Sequence, residues 1–409
     1  MKSRFPIVEL GKHVRQVSQR NRAGADVEVF SVTNSEGFTK STDYFSKEVF
    51  SKDVSNYKVV SPGQFAYNPS RINVGSIDYL RHGTSVLVSP LYIVFEGGGE
   101  IHADYLLRYL KSDWGNAQIR ANTEGAVRDS LKFKGLESIR LPLPLLDDQI
   151  RIAYLLGKVE RLIAQRKQYL QQLDDLLKSV FLEMFGDPVR NEKGWNTGLV
   201  IDFCDVKGGK RIPKGESLLN ENTGFPYIKA GNIKNGEVTL NDLEYVTPDI
   251  RKLISRYTVD EGDVCITVVG ANIGDVGIVP TSLHQASLTE NANKLLIKDK
   301  RRLNNHFLAH YLMSGYVQQQ IASSIRAAGV PKLAIFRIEQ MLLLVPPIEE
   351  QTKFEKTKTL IKTLASRYQQ SLADLEALYG ALSQQAFKGE LDLSRVASAT
   401  KSTEDAGAQ

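Results

Sequence analysis

His306 and His310 have the H-x3-H spacing that lets one helix face offer two imidazoles to a metal. No further Cys or His pair completes a ligand set, and the two cysteines, Cys204 and Cys265, have no metal-ligand spacing. The histidines are expected on a solvated helix face, with no metal. "YNPS" (67–70) comes near an Asn-Pro-Pro-aromatic motif that grips a target base for methyl transfer, but it lacks the second proline and the aromatic, so a turn is the better reading. "EGGGE" (96–100) and "GGKR" (208–211) are glycine-rich, yet neither fits G-x-x-x-x-G-K-[ST]. "GANIG" (270–274) lies on a β-rich segment where a phosphate cradle needs a helix start. No Ser/His/Asp set suggests itself. The residues point to a non-catalytic chain with no cofactor.

Binding chemistry is better represented. "VKGGKRIPKG" (206–215) sets Lys207, Lys210, Arg211 and Lys214 on a glycine-hinged loop. Glycines let backbone N–H groups approach a phosphate while the cations neutralise it. A solvated basic turn explains that stretch as well. "PYIKAGNIKNG" (226–236) adds Lys229, Asn232 and Lys234; Asn reads adenine and Arg reads guanine in a DNA groove, although single residues of either type mean little. A looser set in the first half comprises Arg20, Arg22, Lys40, Lys47, Lys52 and Arg71.

The elements that position these residues are written twice. At an offset of 202 residues, "LPLPLLDDQ" (141–149) lies over "LLVPPIEEQ" (343–351) without a gap, "YLLRYL" (105–110) over "FLAHYL" (307–312), and Phe185 over Phe387. Further upstream the offset drifts to 199, with Gly63 over Gly262 and Gly75 over Gly274. Such a register signals duplication. The helices and domain ends match, while the presumed recognition segments differ.

Each copy reads as a mixed α/β globular piece followed by a long helix. Strands are expected within 85–95, 264–269 and 294–299, and short amphipathic helices at "ADYLLRYLKSD" and "NHFLAHYLMSG". The first long helix, near 147–185, carries a heptad stripe: Leu156, Ile163, Leu170, Leu177 and Met184 on one seam position, Val159, Leu173 and Val180 on the other, interrupted by Arg166. The second stripe runs Ile361, Ala365, Tyr368, Leu372, Leu375, Tyr379, Leu382, Ala386, with Lys358 spoiling its first position. Prolines ahead and acids in the first turn suit a helix start. Each helix could pack on its own globular domain, but the repeat favours an antiparallel coiled coil between the two, with the globular pieces at opposite ends of a rod of ~58 Å. The expected class is α+β, and the expected segments are 1–145, 146–186 (first helix), 187–345, 346–391 (second helix) and a disordered tail, 392–409.

Composition is compatible and undemanding. Two or three domains suit 409 residues, and 52 Lys+Arg against 47 Asp+Glu give a net charge of +5, compatible with a polyanion but not diagnostic. No stretch approaches a membrane span and no secretory leader is evident, so a cytoplasmic location with buried reduced thiols is expected.

Two variable domains, each followed by a proline/acidic/Gln junction and a long helix ending near "KSVFLEMFG" or "GALSQQAFKGEL", resemble the specificity subunit of type I restriction–modification enzymes over about 390 residues. "PPIEEQ" and "GKRIPKG…PYIKAGNI" are the specific hallmarks; the first junction, "PLLDDQ", departs slightly. The resemblance implies a non-enzymatic reader of double-stranded DNA. Its two target-recognition domains would recognise the halves of a split, non-palindromic site. It would recruit two copies of a modification (adenine methyltransferase) subunit and, through them, restriction subunits. The rivals are a coiled-coil scaffold without DNA specificity and a methyltransferase that flips its own target base.

Overall fold

The computed structural model describes residues 3–22, 27–41, 53–124, 129–325, 331–394 and 396. The chain divides into two compact units, Met1–Gln168 with Gln369–Gln409, and Tyr169–Tyr368. The division passes through both long helices, Leu146–Phe185 and Ile348–Lys388. Each unit takes half of each helix.

In the first unit, Val14–Val17, Ile93–Gly97, Phe65–Tyr67 and Ile77–Tyr79 form an antiparallel sheet in that order. Alternation along these strands sorts the two faces. Phe65 and Phe95, direct cross-strand partners 4.8 Å apart between ring centres, share a core with Tyr67 and with Tyr105, Leu106 and Tyr109 of the helix Ala103–Lys111. Ala66 and Val94, on the alternate positions, join Val32, Val60, Val86 and Val88 in a second core. That second layer is built from the short pairs Phe30–Thr33 with Gly37–Lys40 and Lys58–Val60 with Val86–Val88.

The second unit repeats this frame and extends it. Cys204–Gly208, Ala292–Ile297, Val264–Thr267 and Val276–Ile278 pair antiparallel, and Gly236–Val238 and Ile233–Lys234 lengthen the sheet to six strands. Its outer layer differs: Glu244–Tyr245, Pro226–Ile228 and Ser287–Leu288 make a separate three-stranded sheet. Cys204 and Cys265 are free and buried, and burial pushes the Cys204 thiol up to about 12.

The doubled junction has one structural explanation. Gln149 is fully buried; its Oε1 accepts from the His102 N–H (2.9 Å), and its Nε2 donates to the carbonyls of Glu100 (2.9 Å) and Pro144 (2.9 Å). Gln351, also fully buried, repeats the set 202 residues on, with Asn304 N–H (2.8 Å), Arg302 O (3.1 Å) and Pro346 O (2.7 Å). A primary amide is the side chain that can accept from one loop N–H while donating to two carbonyls. Each glutamine thus pins the first turn of a long helix to the entry of the short helix beside it. Tyr109 and Tyr311 reinforce this by donating to the equivalent carbonyls of Arg140 (2.5 Å) and Leu342 (3.0 Å).

Within each unit the two long helices run antiparallel. In the first, the Tyr379 hydroxyl donates to Glu160 (2.7 Å) and Lys167 pairs with Glu376 (3.0 Å), so position numbers rise on one helix as they fall on the other. In the second, Tyr169 lies 5.9 Å from Tyr368, and Phe181 and Phe185 pack edge-on to Phe354. The seam residues occupy the less exposed side: Leu156, Val159, Leu173 and Leu177 are buried, and Ile163, Leu170, Ile361, Leu372, Leu375 and Leu382 are half-buried. Packing on the globular part also occurs, at the helix ends. Ile152 and Leu156 enter the first unit's core together with Phe387, whose ring meets Tyr105 and Tyr109; Leu177, Phe181 and Phe185 enter the second unit's core with Phe354.

The Arg4 N–H donates to the Lys388 carbonyl and Ile7–Glu9 pairs with Arg140–Pro142, which ties the start of the chain to the end of the second helix. Leu391 and Leu393 pack on this same core, so order continues past the expected start of the tail; residue 395 and residues 397–409 lie outside the described residues. Among the described residues no helix is long and apolar enough to cross a membrane.

Candidate nucleic-acid interface

The loop following Cys204–Gly208 is fixed by its glycines. A Cβ on Gly209 would fall 2.0 Å from the Thr289 carbonyl oxygen and 2.5 Å from that of Leu288, a contact that only glycine permits. Gly209 N–H donates to Ala292 O (3.1 Å) and Lys210 N–H to Leu288 O (2.8 Å), while the Tyr227 hydroxyl donates to Lys210 O (2.9 Å). The loop is therefore held against residues 288–292. Lys207, Lys210, Arg211 and Lys214 are all exposed, and Lys210 Nζ sits 5.7 Å from the centre of the Tyr257 ring.

Not all of these charges are available. Arg211 donates to Glu290 (2.5 Å). Burial alone would raise the Glu290 carboxyl, but hydrogen bonds from Arg211, its own backbone and Thr289 hold it below the usual carboxylate range. Lys229 is paired with Glu244 (2.5 Å). Lys207, Lys210 and Lys214 enter no ion pair among the described residues, and neither does Lys234, exposed on the edge strand Ile233–Lys234.

Asn232 leaves the set of expected base readers. It is 2% exposed, its Oδ1 accepts from the Lys229 N–H (2.9 Å) and its Nδ2 donates to Asn241 O (2.8 Å), so both ends of the amide are spent on closing its own turn. Conversely, Tyr227, Tyr257, Thr289 and Glu290 escaped the sequence reading. The run "TENAN" (289–293) carries no periodic signal, and only the fold sets it beside the basic loop.

The looser set in the first unit is more dispersed. Arg20 donates to Asn56 (3.1 Å) and sits across a β-bridge from Lys58. Burial, then the nearby Arg20 charge, push the Lys58 ammonium below its usual value. Lys40 is paired with Glu28 (2.6 Å). Arg22 and Arg71 are exposed. Arg71 follows "YNPS", which forms a turn: the Asn68 side chain accepts from Ser70 N–H (3.1 Å) and its carbonyl from Arg71 N–H (3.0 Å). Lys47 and Lys52 lie outside the described residues.

The two histidines are not on a solvated face. His310 is half-buried between Phe181 (4.7 Å) and Phe354 (5.1 Å), and His306 faces Glu355 (3.4 Å). Helix Asn305–Leu312 packs by that side against the long helices, which overrides the polar character of the two residues. Among the described residues no group of three or more His, Cys, Asp or Glu is placed to hold a metal ion.

Comparison with known proteins gives one consistent result. The family model described as "Type I restriction modification DNA specificity domain" matches residues 192–373. The type I restriction enzyme MjaIX specificity subunit of Methanocaldococcus jannaschii is 21% identical, over 86% of this chain and 89% of its own length. The EcoBI specificity subunit of Escherichia coli is 25% identical, over 67% and 63%. The solved type I S subunit from M. genitalium superposes with a TM-score of 0.58 at 14% identity, covering 94% of this chain and 96% of that one. A chain solved in work on assembly of the type I R-M system gives 0.59 at 17% identity, covering 95% and 98%. These two structural likenesses carry the fold.

Proposed function

We propose, from the premise that the chain belongs to the family of type I restriction–modification specificity subunits, that it reads a split DNA target through two recognition surfaces, one in each unit. The observation that carries this reading is a shared frame with unshared outer layers. Both units have the four-stranded sheet and the glutamine pin, while the outer layers differ in strand content and the exposed cations differ in position. One frame presenting two surfaces suits a non-palindromic site whose halves differ.

Lys207, Lys210, Lys214 and Lys234 are assigned to phosphates in the second unit, and Arg20, Arg22 and Arg71 in the first. Phosphate contacts position a protein on the duplex, and base contacts specify. Arg211 is held in reserve by Glu290 for a guanine edge or a phosphate. The chain itself catalyses nothing in this reading; methyl transfer and cleavage belong to its partners. Segments 1–145 and 187–345 act as the interchangeable readers, and the helices set the distance between half-sites.

The partner surface follows from leucines left in solvent. Leu162 and Leu364, equivalent at the 202 offset, are 47% and 38% exposed, and Leu176 and Leu378, also equivalent, are 47% and 46% exposed. Large apolar side chains that stay exposed at matching positions of both copies suit one partner bound twice. We assign them to two copies of the modification subunit, with restriction subunits joining through these. Co-expression with a modification subunit, followed by native mass measurement, tests this. A complex of two modification subunits per chain supports it; a stable one-to-one complex, or partner binding without DNA affinity as in a bare scaffold, contradicts it.

A further inference from the structure

In the second unit a cavity of about 590 Å³ opens beside the second long helix, lined among others by Gly236, Ile278, Pro280, Lys358, Lys362 and Arg367. Its central feature is Lys358. This residue takes the seam position that Leu156 fills in the first helix, and it is nearly as buried, at 5% exposed. Its ammonium has no hydrogen-bond partner among the described residues. Gly236, in the left-handed region at φ +80°, stands beside that ammonium: a Cβ there would lie 3.0 Å from Met313 Cε and 3.8 Å from Lys358 Nζ.

The carboxylates near Lys358 are already committed. Glu237 pairs with Lys362 (3.3 Å), and Glu355 accepts from the Asn304 amide (2.7 Å) and faces His306 (3.4 Å). Arg367 enters no ion pair among the described residues. Burial, and then the Lys362 charge, push Lys358 down to about 8 against the pull of Glu237 and Glu355, so the group remains mostly charged at neutral pH. A buried ammonium left unpaired is costly, and an anion of matching size removes that cost.

The first unit contains the equivalent cavity, of about 800 Å³, and supplies the contrast. At the 202 offset, Asp104 stands for His306, Glu160 for Lys362 and Leu156 for Lys358. There Arg108 is held by Asp104 (3.0 Å) and Glu160 (2.7 Å), and Arg81 by Asp78 (3.1 Å). Two of its arginines, Arg81 and Arg108, are thus closed by carboxylates of the chain itself. The second copy keeps a cavity at this place, with His306 and Lys362 where the first has Asp104 and Glu160.

We propose that the second unit's cavity is a binding site for a small organic anion. A phosphate or carboxylate group sits against Lys358 beside Lys362 and Arg367, with an apolar remainder against Ile278 and Pro280. The volume is that of ordinary small-ligand pockets. The site does not depend on DNA reading and is tested without DNA. Thermal unfolding of the full chain is followed while inorganic phosphate, or separately butyrate, replaces chloride at fixed ionic strength. The expected result is a saturable upward shift with at least one of the two probes. It should persist in Lys358→Arg, and its half-saturation should move at least ten-fold in Lys358→Met, a substitution of similar volume at a position where the other copy carries leucine. Arg367→Gln, at the exposed wall, should weaken the response three-fold or more and serves if Lys358→Met does not fold. An equal shift in wild type and both variants, or no saturable shift with either anion, overturns the proposal.

Discussion

Gln149 and Gln351 do the same work with one side chain each: three hydrogen bonds, all to backbone, in a site closed to water. Replacing Gln351 with Leu strands one N–H and two carbonyls, and leaving a buried polar group unsatisfied costs about 1–3 kcal/mol. Gln351→Leu should therefore lower the second unit's stability by at least ~2 kcal/mol, read as faster amide exchange confined to residues around 302–312 and 346–355. Unchanged exchange there means that the pin is dispensable. His310 makes a pH prediction. Burial first, then the charges of Lys358, Lys362 and Lys178, push it down to about 4 from 6.5. Below 6.5 the unfolded chain takes up a proton that the folded chain refuses, so stability falls from pH 6.5 to about 4 and then levels for this group. His310→Phe, keeping the aromatic contacts with Phe181 and Phe354, should flatten that acid limb by about one proton in a pH series of urea midpoints. At the basic loop, Lys210→Ala should weaken binding to all DNA sequences alike and reduce the slope of log K against log salt by about 0.9. An unchanged slope places Lys210 away from phosphate.

At the scale of elements, the long helices obey one rule throughout: a side chain every three or four residues turned from solvent, from Gln149 to Met184 and from Gln351 to Ala386. Matched insertions of seven residues after Leu170 and after Gln369 keep that stripe intact and lengthen each helix by ~10 Å. If helix length sets the distance between half-sites, the preferred spacer should grow by about three base pairs, at ~3.4 Å each, with both half-site sequences unchanged. A selection over variable spacers that returns the original spacing removes the helices from that role. These elements were legible in the sequence because periodicity records burial directly: the repeat, both helices, the strands within 85–95 and 264–269, and the heptad positions could all be placed from it. The interface was less legible. Which cations are free depends on acids distant in sequence, such as Glu290 for Arg211 and Glu28 for Lys40, and Asn232 was lost to its own turn. Lys358 appeared in the sequence only as a flaw in the stripe. Its meaning needed the cavity.

In the proposed function, the whole molecule is one frame carrying two independent readers. Exchanging 187–345 for the same region of a related specificity subunit should replace one half of the target and leave the other half and the spacing untouched. A change in both halves contradicts independence. The most direct test is selection from DNA in which every position is random, using the chain in complex with its modification subunit and sequencing what is retained at near-physiological salt. The account predicts a single bipartite motif: two unlike half-sites at one fixed spacing. One contiguous motif, two identical halves, or retention without sequence preference would contradict it.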